Sequence, residues 1–203
     1  MPSRANGEGT GAGVGPRANK RMLTLRRSQF ETPLGPLLAL ASDRGLCALE
    51  FIGPERAVRL EARLRRWFPA HEIVDEMTPT LARTREWLSA YFEGAAADAP
   101  PLDLRGAAFE LRVWTALRRI PSGATSTYGA IAATLGAPGA ARAVGAANGA
   151  NPVSLIVPCH RVIGSSGTLV GYGGGLDRKK WLLDHEIRAF RAASEHVETR
   201  AIR

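Results

Sequence analysis

Residues 140–163 read AARAVGAANGANPVSLIVPCHRVI, and the division of that stretch sets the outline of the chain. Its first part has helical composition, and Asn148-Gly149-Ala150-Asn151-Pro152 stops the helix. Val153 to Val157, apolar but for Ser154, predicts a buried, strand-like segment. Pro158 cannot donate to a ladder, so it ends the run and forces a turn that presents Cys159 beside His160 and Arg161. A free thiol with a pKa of ~8.5 is mostly protonated at neutral pH, and the thiolate is the nucleophile. An adjacent base or positive charge must therefore activate it. His160 and Arg161 are at hand, and Glu186 could orient a base as in other nucleophile–base–carboxylate relays. The competing reading of the pair alone is an inert cysteine in a core strand.

Working outward, Thr125-Ser126-Thr127 offers an N-cap for a short helix over 128–135, which Gly136 ends. Gly136-Ala137-Pro138 then leads into the helix that starts near Ala140, so the two resemble a helix-turn-helix. A major-groove reader needs Arg, Asn or Gln side chains along that second helix. Here it offers Arg142 and otherwise mostly Ala and Gly, among them Ala143, Gly145 and Ala146. Small side chains let a helix backbone press into a narrow groove without reading sequence. A lone cation there could hold a phosphate or fill the gap left by an extruded base; a solvated Arg on an Ala-rich helix is the alternative.

The rest of the chain frames this region. Residues 22–52 predict an antiparallel meander with turns at Thr32-Pro33-Leu34-Gly35 and Ser42-Asp43-Arg44-Gly45. Pro54 opens a helix with Ala57, Leu60, Leu64, Trp67 and Phe68 on one stripe. A short strand is expected near Ile73-Val74, and a second helix over 80–92, with Gly94 just beyond. AAADAPP, residues 95–101, reads as a linker. Helices are expected over 107–120 and from Asp177 to about Phe190, the latter after a glycine-rich loop from Gly164 to Gly175. The expected organisation is a disordered tail (1–20), an N-terminal α/β domain (21–100), a C-terminal domain carrying Cys159 (101–190) and a tail (191–203).

Composition narrows the function classes. The chain has 203 residues, 45% of them hydrophobic and 23% charged, which fits a packed core and excludes wholesale disorder. No apolar run approaches the ~18–20 residues that span a membrane, and no apolar stretch follows the basic N-terminus as in a secretory signal. Two cysteines, Cys47 and Cys159, make neither a disulfide framework nor a four-cysteine zinc site, so a cytoplasmic, reducing setting is expected. Residues 31–104 carry eight basic and twelve acidic side chains, and residues 105–187 nine basic and four acidic. That asymmetry fits a C-terminal half facing a polyanion, or a genomic preference for Arg. Gly7 to Ala12 fits GxGxxA, but no strand precedes it, so it is set aside as a nucleotide site.

The run PGAARAVGAANGANPVSLIVPCHRVIG, then GYGGG (171–175) and KKWLLDHE (179–186), resembles the O6-alkylguanine-DNA alkyltransferase family, stand-alone bacterial type, over roughly Leu25 to Glu186. The resemblance implies an α+β chain. Its N-terminal half is a small antiparallel sheet with helices, ribonuclease H-like. Its C-terminal half is mostly helical and winged helix-turn-helix-like. It implies irreversible, single-turnover transfer of an alkyl group from O6-alkylguanine, and O4-alkylthymine, to Cys159. On the same footing His160 deprotonates Cys159 through a water, Glu186 orients His160, and Tyr128 donates to a guanine ring nitrogen. Asn151 is the hinge between recognition helix and site, and Arg142 replaces the flipped nucleotide. Ala143, Gly145 and Ala146 face DNA, while Pro158, Val162, Tyr172, Gly173 and Gly174 line the guanine pocket. The implied partner is double-stranded DNA, entered through the minor groove by a monomer, without cofactor. Some relatives hold zinc in the N-terminal half; with only Cys47 and His71 there, no metal is expected. Gly173 stands where some relatives have a bulkier or hydroxyl residue, which leaves the preference among alkyl groups open. Two rival functions are a lesion-recognising DNA-binding module without chemistry and a Cys-His hydrolase, although hydrolases of that kind usually bring the histidine from far along the chain.

Overall fold

The computed structural model describes residues 22–201, with side chains through residue 189. The expected disordered tail, residues 1–20, lies outside the described residues. The meander forms as the turn chemistry requires: β1 (Leu23–Phe30), β2 (Leu37–Ser42) and β3 (Gly45–Phe51) pair antiparallel in sequence order. The fourth strand, β4 (His71–Asp75), adds to the far side of β1 in parallel, so the sheet order is β3-β2-β1-β4. Parallel addition needs a crossover, and α1 (Pro54–Trp67) supplies it. Its apolar stripe, Leu60 and Leu64 with Phe68, packs on Leu25, Leu40 and Cys47. The opposite face of the sheet, with Leu37, Ala39, Leu49 and Phe51, meets α2 (Pro79–Phe92) and the C-terminal half. Thr78 caps α2 by accepting from the Leu81 amide.

One hydrophobic core runs across both halves, from Phe30 and Leu81 through Trp114 to Val153 and Leu182. The join is made at the free edge of β3. Leu46 exchanges backbone bonds with residues 101 and 103, and Leu49 with residues 152 and 154. An unpaired edge is a liability, and here it is closed by two segments of the chain's own second half. Gly45 allows the first of these contacts: at φ 151°, a Cβ on it would lie 2.5 Å from the Pro101 carbonyl oxygen.

The second half comprises α3 (Ala108–Leu117), β5 (Ser126–Thr127), α4 (Tyr128–Thr134), α5 (Ala141–Gly149), a single 3-10 turn (Cys159–Arg161), β6 (Val162–Ile163) and α6 (Leu176–Ala201). Thr127 caps α4 as expected, accepting from the Ala130 amide. Helices α4 and α5 pack on α3, and the Trp114 indole donates to the Ala147 carbonyl at 2.8 Å. β5 and β6 form a two-stranded parallel pair beside them.

Two expectations need correction. Residues 153–157 are buried but form no strand: only Val153 makes a bridge, to Leu49. The chain then folds back, with the Val157 amide on the Val153 carbonyl and Leu155 at φ 69°. Prolines at both ends and the Asn151 side chain prevent continued pairing, so Pro158 ends no ladder. The last helix does not stop near Phe190 but continues to Ala201, so it includes most of the segment expected as a tail. Glu186 therefore sits inside a long helix rather than at its C-terminus, and no dipole penalty attaches to it.

Candidate active site

Cys159 is positioned by the turn that replaces the expected strand. The Asn151 side chain clasps that turn at both ends: its Oδ1 accepts from the Val153 amide at 3.0 Å and its Nδ2 donates to the Val157 carbonyl at 2.7 Å. Pro158, at φ −81° and ψ 64°, is the centre of an inverse γ-turn closed by the Cys159 amide on the Val157 carbonyl at 2.8 Å. The Asn148 side chain, from the last turn of α5, donates to the Cys159 carbonyl at 3.4 Å. Helix α5 and the cysteine are thus joined by two asparagines, where the sequence singles out Asn151 alone.

Cys159 is buried, and burial pushes its thiol pKa up. The Asn151 amide, the Arg56 guanidinium and the Lys179 ammonium act the other way without reversing the direction. The resting group is a thiol that needs a base. His160 follows it, wholly buried, with Nε2 2.8 Å from Glu186 Oε1. A carboxylate accepts, so Nε2 carries the proton and Nδ1 is left as the acceptor. Nδ1 is buried and has no partner among the described residues. Burial lowers the His160 pKa; Glu186 opposes that through its hydrogen bond and charge, and the neutral form prevails.

Glu186 is the most heavily bonded side chain here. Besides His160 it accepts from Arg161 Nε (2.9 Å) and Nη2 (2.8 Å), the Tyr91 hydroxyl (2.8 Å) and the Gly123 amide (3.3 Å). Burial alone would raise its pKa, but the bonds from His160 and Arg161 outweigh burial and hold it well below the usual carboxylate range. Arg161 also donates to the Ile120 carbonyl at 2.6 Å, tying the turn after α3 into the network.

The pocket residues divide around this centre. Pro158 and Val162, on either side of Cys159–Arg161, are both buried. Tyr172 stands edge-on to His160, with ring centroids 6.4 Å apart, and its buried hydroxyl has no partner among the described residues. Gly174 must be small, since a Cβ there would lie 2.5 Å from the Tyr172 ring. Tyr128, at the start of α4, reaches across to the same loop, its hydroxyl 3.4 Å from the Val170 carbonyl. The loop is pinned from below by Lys179, a wholly buried cation whose Nζ donates to the Val162 and Val170 carbonyls.

On α5 the side chains sort by face. Val144, Ala147 and Asn148 are buried, while Arg142, Ala143 and Ala146 are exposed and Gly145 is half-exposed. Arg142 has no carboxylate partner among the described residues. It borders a shallow groove of about 500 Å³ that also touches Tyr128, Gly145, Gly164 and Ser165. The groove runs from Arg142 and Gly145 on α5 to Gly164 and Ser165, where the glycine-rich loop begins. No helix among the described residues is long and apolar enough to cross a membrane.

Sequence reading placed Cys159, His160, Glu186, Tyr128, Asn151, Tyr172 and Gly174 in one neighbourhood, and the structure brings them together. It passed over Tyr91, Lys179 and Arg56. Tyr91 falls within the helix expected over 80–92, and nothing local marks its hydroxyl. Lys179 lies seven residues before Glu186 on the same helix, a same-face spacing that was available as a signal. Arg56 has no sequence signal linking it to Cys159.

The sequence and the fold also match known proteins. Residues 25–104 match the family model described as 6-O-methylguanine DNA methyltransferase, ribonuclease-like domain, and residues 108–188 match the DNA binding domain of the same family. A methylated-DNA–protein-cysteine methyltransferase of Salmonella typhimurium is 46% identical over 169 residues, covering 81% of this chain and 97% of the relative. The crystal structure of Mycobacterium tuberculosis OGT in complex with DNA is 40% identical, with a TM-score of 0.67, covering 82% of this chain and 94% of that one. The crystal structure of the O6-methylguanine methyltransferase from the same organism gives 41% identity and a TM-score of 0.65, covering 83% and 94%. Similarity of that depth over both halves, joined to a cysteine–histidine–glutamate site in the second, places this chain in the 6-O-methylguanine DNA methyltransferase family.

Proposed function

We propose that this chain repairs DNA by direct reversal, with Cys159 as the acceptor of the alkyl group from O6 of guanine and O4 of thymine. Alkyl transfer to a cysteine is the activity of the family, and the thioether formed is stable, so each molecule acts once. The observation that carries the assignment is the buried Cys159 beside a neutral His160 that Glu186 holds by Nε2, leaving Nδ1 as the acceptor. His160 takes the thiol proton through a water, and Glu186 stabilises the imidazolium. The thiolate attacks the alkyl carbon in line, and guanine leaves with its electron pair. Tyr128 donates to a guanine ring nitrogen and so offsets the charge that develops on the leaving base. Tyr172, Gly173 and Gly174 wall the base, with Pro158 and Val162 beneath.

The family binds DNA, and this chain does so with α5. Arg142, Ala143, Gly145 and Ala146 present a small, nearly featureless face with one cation, suited to the minor groove. The reacting oxygen lies on the base-pairing edge, so the nucleotide must leave the stack before the thiol can reach it. Arg142 occupies the gap, and Asn151 links the helix that enters the groove to the turn that holds the thiol. The segment over 95–101 is the boundary between the sheet-bearing half and the half that carries this chemistry.

The test is a duplex carrying O6-methylguanine with a labelled methyl group. The label should move from DNA to protein and stop at one per molecule. Binding without transfer would favour the non-catalytic lesion-recognising module, and repeated turnover would point to hydrolase-like chemistry. Arg142→Ala should slow reaction in duplex far more than reaction with free O6-benzylguanine; equal slowing would remove Arg142 from the flipping step.

A further inference from the structure

Arg56 enters the surroundings of Cys159 from α1, on the other half of the chain. Its guanidinium lies against the loop at Gly173: a Cβ on that glycine would be 2.9 Å from Nη2 and 3.1 Å from Nη1. The side chain is 20% exposed, and its Nε is buried without a hydrogen-bond partner. The nearest carboxylate oxygen, Glu50 Oε2, is 3.9 Å from Nε, and Glu50 is engaged by Arg63. Lys179, the other cation that acts on the thiol, has its Nζ on two backbone carbonyls. Arg56 is therefore the cation near the thiol with donor capacity to spare.

It also borders a space that a methyl group would not fill. A cleft of about 320 Å³ extends from Gly173 and Asn151 along Arg56 toward Trp114, with Arg59 and Arg63 on its rim. Asn151, whose amide acts on the Cys159 thiol, and Gly173, next to Tyr172, bring one end of this cleft beside the acceptor site. Glu50 and Glu110 also line it, but Glu50 is paired with Arg63 and Glu110 is turned to the Ala107 amide at 2.7 Å.

We propose that this cleft receives the far end of the alkyl group and that Arg56 binds a carboxylate there, making acidic O6 adducts, of which O6-carboxymethylguanine is the simplest, preferred substrates of this chain. The proposal rests on the repair reading above and names a substrate class for it. Attack by a thiolate on a carbon next to a carboxylate brings like charges together, and a guanidinium on the carboxylate cancels that repulsion. A carboxylate set against this guanidinium gains a charge-assisted bond, which is short and strong. A methyl group gains nothing from either effect. In the step itself the Cys159 sulfur bonds to the methylene carbon as the carbon–O6 bond breaks. The electron pair leaves on guanine, guanine takes up one proton in place of the one the thiol gave to His160, and the carboxylate is unchanged.

The test compares rates of transfer from two duplexes, one with O6-methylguanine and one with O6-carboxymethylguanine, for the wild-type chain, Arg56→Gln and Arg56→Lys. Arg56→Gln should lower the carboxymethyl-to-methyl rate ratio by about tenfold, the scale of one charged hydrogen bond. Arg56→Lys should retain most of that ratio. Gly173→Ser, which displaces the guanidinium, should lower it as well and provides a second variant. Equal slowing of both substrates by Arg56→Gln would mean that Arg56 serves the thiolate or DNA in general, and would overturn the proposal. Methyl transfer by the wild-type chain with no Arg56-dependent preference would overturn it while leaving the repair reading intact. No methyl transfer by the wild-type chain would overturn both.

Discussion

The chain has two cysteines, both buried, and they are chemically unlike. Cys47 lies in β3 against Leu60, Leu64 and Phe68, and its thiol contacts the Leu40 carbonyl at 3.2 Å. Burial, with the Asp103 charge behind it, pushes its pKa up to about 12. Cys159 is as deeply buried and its pKa is also raised by burial. The difference lies in what surrounds it: an asparagine amide, two cations and a histidine whose free nitrogen can take a proton. Burial without such wiring makes a small hydrophobe; burial with it makes a nucleophile that waits for substrate.

The largest effect that should separate the two sites comes from deleting the thiols. Cys159→Ala should abolish alkyl uptake and leave DNA binding in place, read by transfer and gel-shift assays on the same preparation. Removing the wiring should come next. Glu186→Gln should slow transfer by about 10²–10³, within the range of a lost general-base system. It should also lower stability by about 3 kcal/mol in denaturant unfolding, because Arg161 loses its buried partner. A normal rate in this variant would separate His160 from the chemistry.

Acid should act on Cys159's neighbourhood and spare Cys47's. The His160 pKa is held below its ordinary value of about 6.5, and that of Glu186 below about 4.3. Between each folded value and its unfolded value the unfolded chain binds the proton more readily, so stability rises with pH there. Both contributions are complete above the unfolded values and are lost as pH falls through the folded ones. Thermal midpoints should therefore drop as pH is taken from 7 through 5, and again below about 4.3. The acid limb of the transfer rate should lie below pH 6.5; a limb above 7 would contradict a neutral resting His160.

Smaller effects sharpen the contrast. Tyr91→Phe removes one of the bonds to Glu186 and should cost about 1 kcal/mol, with a few-fold slower transfer. Cys47→Ala should be the mildest change, costing about 1 kcal/mol by calorimetry with the transfer rate unaltered.

The same two regions show how much the sequence discloses. Around Cys47 the apolar segments of β1 to β3, the turns and the stripe of α1 were readable because each is local in sequence. The parallel seat of β4 was not, since strand order depends on the whole sheet. Around Cys159 the residue types were readable, but the path of 153–157 was misread. Four apolar residues in a run of five, VSLIV, suit a strand, yet the free edge of β3 accepts only its beginning, and Asn151 turns the remainder back. Long-range partners such as Tyr91 and Arg56 come from the other half of the chain, where no spacing rule connects them to the cysteine.

The most direct test is intact-mass measurement after reaction with an O6-methylguanine duplex, followed by peptide mapping. The account predicts one added methyl group per molecule, carried by the peptide that contains Cys159, with the Cys47 peptide unmodified at any excess of DNA. A methyl group on Cys47, more than one per molecule, or none on the Cys159 peptide would contradict it.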